Sequence, residues 1–211
     1  MRVPLPRAAE YLVATHNPGK LEEIETLLSR LGCRTVSAER LGLTAPVEDA
    51  DTFGGNAAIK ARHACDATGI PTLADDSGLC IPTLGGHPGL ETARWARENG
   101  GWSAAQAQVY RMLVDKNAWQ DGARATMHCA LAIAYPGGGT YVFSGEVDGQ
   151  LVWPPRGDGS GFDAMFVPDG FEHSFAEMKP EEKALIDARA HAFVKFARAW
   201  SAQEAAATHP S

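Results

Sequence analysis

The sequence lacks long hydrophobic runs, closely spaced cysteines and an excess of basic residues. Its longest apolar stretches are far too short to cross a bilayer, and its first seven residues contain no apolar segment of the kind found in secretory signals. We therefore expect no membrane association and a cytoplasmic location. The 211 residues, 45% hydrophobic and 21% charged, are typical of one globular domain and exclude a disordered, collagen-like or repeat protein.

Positive charge is in short supply, with 19 Lys and Arg residues against 26 Asp and Glu residues and a formal net charge of −7. Wrapping a nucleic-acid backbone requires a dense basic surface, so nucleic acid is not an expected partner. A small anionic ligand is not excluded, because a few lysines and a metal ion can hold one. Cys33, Cys65, Cys80 and Cys129 form no Cys-x-x-Cys pair, so we expect reduced, mostly buried thiols and no zinc site.

The pattern of apolar residues predicts an α/β fold with a mixed sheet, because strand–helix units are combined with one hairpin. The hairpin is predicted from two stretches rich in strand formers, 125–135 and 141–152, which flank Pro136-Gly137-Gly138-Gly139. We further predict an N-terminal arm over 1–10, one domain over 11–200 and a flexible tail over 201–211.

The first segment that indicates chemistry is the loop Thr15-His16-Asn17-Pro18-Gly19-Lys20. It follows a predicted strand that starts at Tyr11, and it opens a predicted helix whose apolar residues recur from Leu21 to Leu31. A helix start presents free backbone N–H groups and the positive end of the helix dipole, which suits a phosphate, and Lys20 adds a charge. The alternative is a plain Asn-Pro-Gly turn with a solvated lysine.

The second segment is the acidic pair Asp75-Asp76, which follows the apolar strand Pro71–Ala74. Adjacent carboxylates cannot both be buried without a cation or a proton, and in a strand they point to opposite faces. Glu48 can supply a second carboxylate for Mg2+, which prefers carboxylate oxygens, and Asp49 and Asp51 are neighbouring alternatives. The other interpretations are acids that cap backbone amides and a solvent-exposed Glu48.

A third group lies towards the C-terminus. The glycine beside an aromatic ring in Ser160-Gly161-Phe162-Asp163 predicts a backbone close to a flat ligand, with the ring available for stacking. The alternative is a turn whose Phe162 ring fills the core. Lys183 and Arg189 stand around the start of the last predicted helix, whose apolar stripe runs from Ile186 to Trp200. Both only donate hydrogen bonds, so they favour a base with keto oxygens over amino groups, unless they belong to a solvated charged face.

Taken in order, these segments resemble the inosine triphosphate pyrophosphatase family, the XTP/dITP diphosphatases. The similarity covers roughly residues 11–200. The matching segments are Ala14-Thr15-His16-Asn17-Pro18-Gly19-Lys20, Asn56-Ala57 with Lys60-Ala61-Arg62-His63-Ala64, Ala74-Asp75-Asp76-Ser77-Gly78-Leu79, Leu84-Gly85-Gly86 with Pro88-Gly89 and Ala93-Arg94, Gly161-Phe162-Asp163 with Phe166-Val167-Pro168, and Glu181-Glu182-Lys183 with Arg189.

The resemblance implies an elongated mixed sheet with flanking helices, two lobes around a central cleft, and a homodimer. The implied reaction is Mg2+-dependent hydrolysis of a deaminated purine nucleoside triphosphate (dITP, ITP or XTP) to the monophosphate and pyrophosphate, which cleanses the nucleotide pool. The residues carried over are Thr15, His16, Asn17, Pro18, Gly19 and Lys20 for the triphosphate, Glu48 and Asp76 for the metal, Asp76 and Lys20 for catalysis, Ser77 for substrate contact, and Ser160, Gly161, Phe162, Asp163, Lys183 and Arg189 for the base and its surroundings.

The sequence departs from the family pattern at three places. Asp187-Ala188-Arg189 stands where the family has Ser-His-Arg, Ser160–Asp163 stands where it has Phe-Gly-Tyr-Asp, and Gly55 replaces an acid before Asn56. Asp187 can still cap a helix, but Ala188 removes an imidazole that contacts the base in relatives. The alternatives are therefore the same hydrolysis with a shifted base preference, or a nucleotide-binding protein with little turnover.

Overall fold

The computed structural model describes residues 5–15, 17–119 and 122–207, with the backbone alone for 202–207. It confirms the mixed α/β architecture. In the described part of the chain there are six strands, β1 (Glu10–Val13), β2 (Arg34–Ser37), β3 (Thr72–Cys80), β4 (Arg124–Ala134), β5 (Thr140–Leu151) and β6 (Phe166–Pro168). The same part contains six α-helices, α1 (Pro18–Ser29), α2 (Phe53–Thr68), α3 (Thr92–Glu98), α4 (Trp102–Asp115), α5 (Pro180–Ile186) and α6 (Ala188–Ala207).

The six strands form one mixed sheet in the order β2-β1-β3-β4-β5-β6. Strand β1 is parallel to β2, with Leu12 opposite Val36, and parallel to β3, with Val13 opposite Leu73. Strands β5 and β6 are antiparallel. Only residues 135–139 join the neighbouring strands β4 and β5, and so short a connection cannot make a parallel crossover. The predicted antiparallel hairpin is therefore confirmed.

The chain divides into two compact units. Unit 1 consists of the described residues of Met1–Asp76, Ala130–Gly145 and His191–Ser211. Unit 2 consists of the described residues of Ser77–Cys129 and Glu146–Ala190. The boundary in β3 falls directly after Asp76, so each unit is described separately below.

The core of unit 1 is built from small side chains on α2. Thr52 caps the start of this helix, because its Oγ1 accepts a hydrogen bond of 3.0 Å from the Gly55 N–H. Small buried residues of α2 then pack on small residues of the sheet. The cluster contains Ala57, Ala61, Cys65, Ala74, Ala130, Ala132 and Ala134. Side chains this small let the helix backbone lie close to the strands.

The core of unit 2 is made of large apolar and aromatic side chains around α4. Val109 and Leu113 of this helix are fully buried. Tyr110 stacks on Trp153 with ring centroids 4.5 Å apart. The remaining buried members with large side chains are Leu79, Ile81, Leu84, Leu151, Phe162, Met165, Phe166 and Phe175. Burial of such side chains is worth about 1.5–3 kcal/mol each, so this cluster stabilises the unit chiefly by the hydrophobic effect.

The single last helix predicted from the sequence is in fact two helices, α5 and α6, with Asp187 between them. Ile186 belongs to α5, so the expected stripe from Ile186 to Trp200 does not lie on one helix. The prediction that Asp187 can cap a helix is confirmed, because its Oδ1 accepts a 2.7 Å hydrogen bond from the Ala190 N–H. Helix α6 continues to Ala207, into the segment predicted as a flexible tail, and its alanines favour helix.

All four cysteines are free thiols, as the sequence predicts. Cys33, Cys65 and Cys129 are buried, and Cys80 is partly exposed. Burial raises the pKa of the Cys33, Cys65 and Cys80 thiols, which keeps these groups protonated at neutral pH. They therefore act as small apolar side chains. None of the helices in the described part of the chain is both long enough and apolar enough to cross a bilayer.

Candidate active site

Charged side chains from three elements of unit 1 meet around Lys60. Its Nζ donates to Glu48 Oε2 at 3.0 Å and to Asp76 Oδ1 at 3.1 Å. Lys60 lies on α2, Asp76 on β3 and Glu48 on the loop that precedes α2. Beside them, Lys20 Nζ lies 2.9 Å from Asp75 Oδ2. We call these five residues the acid–lysine group, and it brings together the predicted residues Lys20, Glu48 and Asp76.

The two adjacent aspartates take different lysines, as expected for neighbours in a strand. The Asp75 side chain is 1% exposed and pairs with Lys20, whereas the Asp76 side chain is 14% exposed and pairs with Lys60. The requirement that a buried acid pair needs cations is therefore met by two lysines. Lys20 is not the solvated lysine of the alternative interpretation, because its ammonium is tied to a buried carboxylate.

The charges of the group shift one another's pKa values. Burial by itself lowers the pKa of the Lys60 ammonium, but the three nearby carboxylates outweigh burial and hold that pKa above its ordinary value. Burial raises the pKa of the Asp76 carboxyl, and the Lys60 and Lys20 ammonium groups offset part of that rise. Lys60 is thus a firmly charged cation, and Asp76 holds a proton more readily than an exposed aspartate does.

The donor set fits Mg2+. Asp76 Oδ2 is buried and has no hydrogen-bond partner among the described residues. A buried carboxylate oxygen without a donor is costly unless a ligand satisfies it. The described residues contain no cluster of three or more His, Cys, Asp or Glu side chains that could enclose a metal. Mg2+ needs no such cage, because it is usually held by one or two carboxylates together with waters and substrate phosphates. Glu48 and Asp76 supply that number.

The loop before α1 differs from one expectation. The helix start was expected to present free N–H groups, but Asn17 Oδ1 accepts from the Gly19 N–H at 3.0 Å and from the Lys20 N–H at 3.3 Å. These donors are already capped, so a phosphate would have to displace the Asn17 side chain to reach them. The Thr15 hydroxyl accepts from the Asn17 N–H at 3.2 Å. Asn17, Pro18 and Gly19 are exposed, and the predicted residue His16 lies outside the described residues.

The loop that carries Glu48 is held against α2 by Asn56 and Gly55. Asn56 is 4% exposed, and its Oδ1 accepts a 3.0 Å hydrogen bond from the Ala50 N–H. A Cβ at Gly55 would lie 2.5 Å from the Ala50 Cβ, a distance that only a shift of the loop could relieve. The glycine at this departure from the family pattern therefore permits the close approach that places Glu48. Asp49 and Asp51, the alternative acids of this loop, are exposed.

The predicted base-binding residues lie in unit 2. Lys183 Nζ is 2.7 Å from Asp163 Oδ2, with side chains 22% and 19% exposed, so Lys183 does not belong to a solvated face. Burial lowers the pKa of the Arg189 guanidinium to about 10. Ala188, which replaces the family histidine, is buried at the start of α6. Ser77 follows Asp76 on β3 and is the first residue of unit 2.

The loop 160–163 argues against one expectation. Gly161 has a φ of 71°, a left-handed conformation that favours glycine, and its carbonyl accepts a 2.7 Å hydrogen bond from Gln106 Nε2. The Phe162 ring, however, is 2% exposed and packs edge-on against Trp102. This ring fills the core, as the alternative interpretation predicted, and does not stand free to stack on a ligand. Ser160 is exposed.

Lys60, at the centre of the acid–lysine group, was not assigned to the site from the sequence. Its partners Glu48 and Asp76 are 12 and 16 positions away in the sequence, so no local spacing reveals the contact. One signal was present. Lys60 stands three positions after Ala57 and four before Ala64, so it lies next to the buried small-residue face of α2. A lysine there must find a charged partner or extend to solvent.

The chain is similar to known proteins over most of its length. Residues 11–199 match the model of the Ham1 family. A dITP/XTP pyrophosphatase of Zymomonas mobilis is 49% identical over 183 residues, covering 86% of this chain and 87% of the relative. One of Ruegeria pomeroyi is 46% identical, covering 89% and 93%. A solved Ham1 protein from Coxiella burnetii superimposes with a TM-score of 0.81 and 31% identity, over 90% of this chain and 98% of the other. The chain belongs to the Ham1 family.

Proposed function

We propose that this protein hydrolyses deaminated purine nucleoside triphosphates, such as dITP, ITP and XTP, to the monophosphate and pyrophosphate. The relatives named dITP/XTP pyrophosphatase support the reaction and the substrate class. The observation that carries the proposal in this chain is the acid–lysine group. Lys60 bridges Glu48 and Asp76, while a buried oxygen of Asp76 has no partner among the described residues. This arrangement provides both cations for phosphates and carboxylates for a metal and a water.

The chain's own residues perform the following steps under this proposal. Lys20 and Lys60 offset the negative charge that develops on the phosphate oxygens, since an ammonium acts there as a point charge. Asp76 orients a water molecule towards the α-phosphorus and accepts its proton. The water oxygen bonds to the α-phosphorus, the bond from that phosphorus to the bridging oxygen breaks, and pyrophosphate leaves with the electron pair.

We propose Glu48 and Asp76 as the residues that hold Mg2+. When bound, this ion would supply Lewis-acid stabilisation of the phosphate oxygens. The raised pKa of the Asp76 carboxyl suits a group that takes a proton during the reaction, because burial reduces the cost of its neutral form. Asp76 thus has two uses, and its two oxygens can serve them separately.

We assign recognition of the base to Lys183 and Arg189 of unit 2. Both are donors, so they match the 6-keto oxygen of hypoxanthine or xanthine and disfavour the 6-amino group of adenine. Asp163 holds the Lys183 ammonium at 2.7 Å and limits where it can point. Ala188 supplies no imidazole, so we propose a base preference that is weaker than in relatives with histidine, or shifted towards another base.

We also propose a homodimer, on the family resemblance, and a cytoplasmic location. Light scattering coupled to size-exclusion chromatography tests the first. A mass of twice 22.5 kDa supports the dimer, and a mass of 22.5 kDa contradicts it.

The test of the function is pyrophosphate release with Mg2+ over a panel of purine and pyrimidine nucleoside triphosphates. High turnover of dITP or XTP with little turnover of dATP is expected. If another nucleotide is the best substrate, the proposed hydrolysis stands and the assignment of Lys183 and Arg189 to a keto purine is overturned. Tight binding of a triphosphate without pyrophosphate release would favour the alternative of a binding protein with little turnover.

A further inference from the structure

Lys60 contacts both carboxylates that we propose as metal ligands. Its Nζ lies 3.0 Å from Glu48 Oε2 and 3.1 Å from Asp76 Oδ1, which are oxygens of the two proposed metal ligands. Two cations held by the same carboxylate oxygens repel each other strongly at this range. A metal that binds at Glu48 Oε2 and Asp76 Oδ1 would therefore have to displace the Lys60 ammonium from these two atoms.

The charges of the group support that displacement. Three carboxylates and two ammonium groups give the acid–lysine group a net charge of −1, which leaves only a weak attraction for a further cation at the same place. A divalent cation would reverse the sign to +1, and a triphosphate would then be attracted to the group. The lysine side chain has a flexible stem of four carbons, so its ammonium can move while α2 stays in place.

The loop that carries Glu48 gives Lys60 a second use. The Glu48 side chain is 38% exposed, and Lys60 is the ion-pair partner that links it to Asp76 on the sheet. Without a cation at this point, Glu48 and Asp76 would repel each other. The Lys60 ammonium, whose side chain is only 15% exposed, thus keeps both acids in place.

We propose that Lys60 is a built-in counter-cation that holds Glu48 and Asp76 in position before the metal binds and competes with the metal for their oxygens. It then turns to the triphosphate when metal and nucleotide enter together. Lys60 is a positioning residue in the metal-free protein. The inference rests on the proposed function, because it takes Glu48 and Asp76 as metal ligands. It predicts weak metal binding without nucleotide.

The experiment measures Mn2+ binding without nucleotide, by the electron paramagnetic resonance signal of free Mn2+. Mn2+ suits carboxylate ligands as Mg2+ does. The full chain is compared with Lys60→Met, Lys60→Gln and Lys60→Arg, and with Lys116→Met, which removes an exposed lysine of unit 2. Removing the competing charge should tighten Mn2+ binding by about tenfold in the Met and Gln variants. The Arg and Lys116 variants should bind like the unchanged protein.

A thermal melt provides a second readout. Lys60→Met and Lys60→Gln should melt at a lower temperature than the unchanged chain without metal, and Mn2+ should raise their melting temperature by more. Equal or weaker Mn2+ binding in both variants overturns the inference. Equal responses of all chains to Mn2+ in the melt also overturn it.

The outcome is separable from that of the proposed function. One result is that the unchanged protein releases pyrophosphate from dITP while Lys60→Met binds Mn2+ no more tightly than the unchanged protein does. In that case the counter-cation proposal is wrong and the proposed function stands. If the variant binds Mn2+ more tightly but no triphosphate is hydrolysed, the function fails and the counter-cation stands. If neither the unchanged chain nor its variants bind Mn2+, both the inference and the assignment of Glu48 and Asp76 as metal ligands are overturned.

Discussion

Unit 1 and unit 2 differ in the side chains of their cores and in their charged groups. Unit 1 packs α2 on the sheet through alanines, and each acid of its β3 segment is paired with a lysine. Unit 2 has a core of large apolar and aromatic side chains, and its predicted site contains the ion pair between Lys183 and Asp163. The small residues of α2 matter for chemistry, because a helix that lies close to the sheet brings Lys60 to Asp76.

The difference indicates how each group tolerates change. The charges of unit 1 are mutually dependent and partly buried, so the loss of one alters the others. Among the predicted base-binding residues of unit 2, the departures from the family pattern change side chains, while the helix cap at Asp187 is kept. We therefore expect substitutions in unit 1 to affect the rate of reaction, and substitutions in unit 2 to affect the choice of base.

The largest effect is expected from Asp76→Asn. The amide cannot accept the water's proton and is a poor metal ligand, so kcat for dITP should fall by about 10³-fold. The change is nearly isosteric, and the circular dichroism spectrum should be unchanged. Asp49→Asn, at an exposed acid near Glu48, is the matched control and should keep full turnover. Unchanged turnover in Asp76→Asn would remove this residue from its proposed role.

The second largest effect, also in unit 1, is expected from Lys20→Met. The triphosphate loses a positive charge, so KM for dITP should rise by about tenfold to a hundredfold. The fold should also lose about 3 kcal/mol, because the buried Asp75 carboxylate loses this partner. The double variant with Asp75→Asn should recover stability in a urea melt but not KM. Recovery of KM as well would show that Lys20 acts only through Asp75.

A smaller change, confined to selectivity, is expected from Ala188→His in unit 2. The imidazole restores the family pattern, so the ratio of kcat/KM for dITP to that for dATP should rise by about tenfold. Val194→His, at an exposed position farther along α6, is the control and should leave the ratio alone. An unchanged ratio in Ala188→His would contradict our interpretation of this departure.

The smallest effect concerns stability and pH at Asp187. Burial raises the pKa of this carboxyl, so the folded state holds its proton more tightly than the unfolded chain. Stability therefore falls as pH rises from the unfolded pKa through the higher folded pKa. Asp187→Asn keeps a capping oxygen without the charge, so it should melt higher than the unchanged protein at pH 7, and the advantage should vanish at acidic pH.

Asp187→Ala is the control for the cap at this position. It removes both the charge and the 2.7 Å hydrogen bond to the Ala190 N–H, so it should cost about 1 kcal/mol relative to Asp187→Asn at every pH. An advantage of Asp187→Asn that does not change with pH would contradict the assigned direction of the pKa shift.

Most of the fold could be predicted because its elements have local signals. The Thr52 cap, the small face of α2 and the hairpin around Pro136 are all legible in short windows. The short helices α3 and α5 and the three-residue strand β6 were not predicted, because they are too brief for a periodic pattern. The break at Asp187 was missed since helical residues flank it on both sides.

The candidate site was predicted where sequence neighbours share a task, as at Asp75 and Asp76. The site was not predicted where a residue joins it through contacts with residues far away in the sequence. Lys60 meets Glu48 and Asp76 only in the folded chain. The expectation of free N–H groups at the start of α1 was wrong for a local reason, because the Asn17 side chain caps these groups itself. The Phe162 ring is turned into the core by packing against Trp102, which no local pattern reveals.

The most direct test of the central claim is hydrolysis of dITP in 18O-labelled water with Mg2+, followed by mass spectrometry of the products. Attack on the α-phosphorus, oriented by Asp76, predicts one 18O atom in the nucleoside monophosphate and none in pyrophosphate. Label in the pyrophosphate, or release of orthophosphate in its place, would contradict the account.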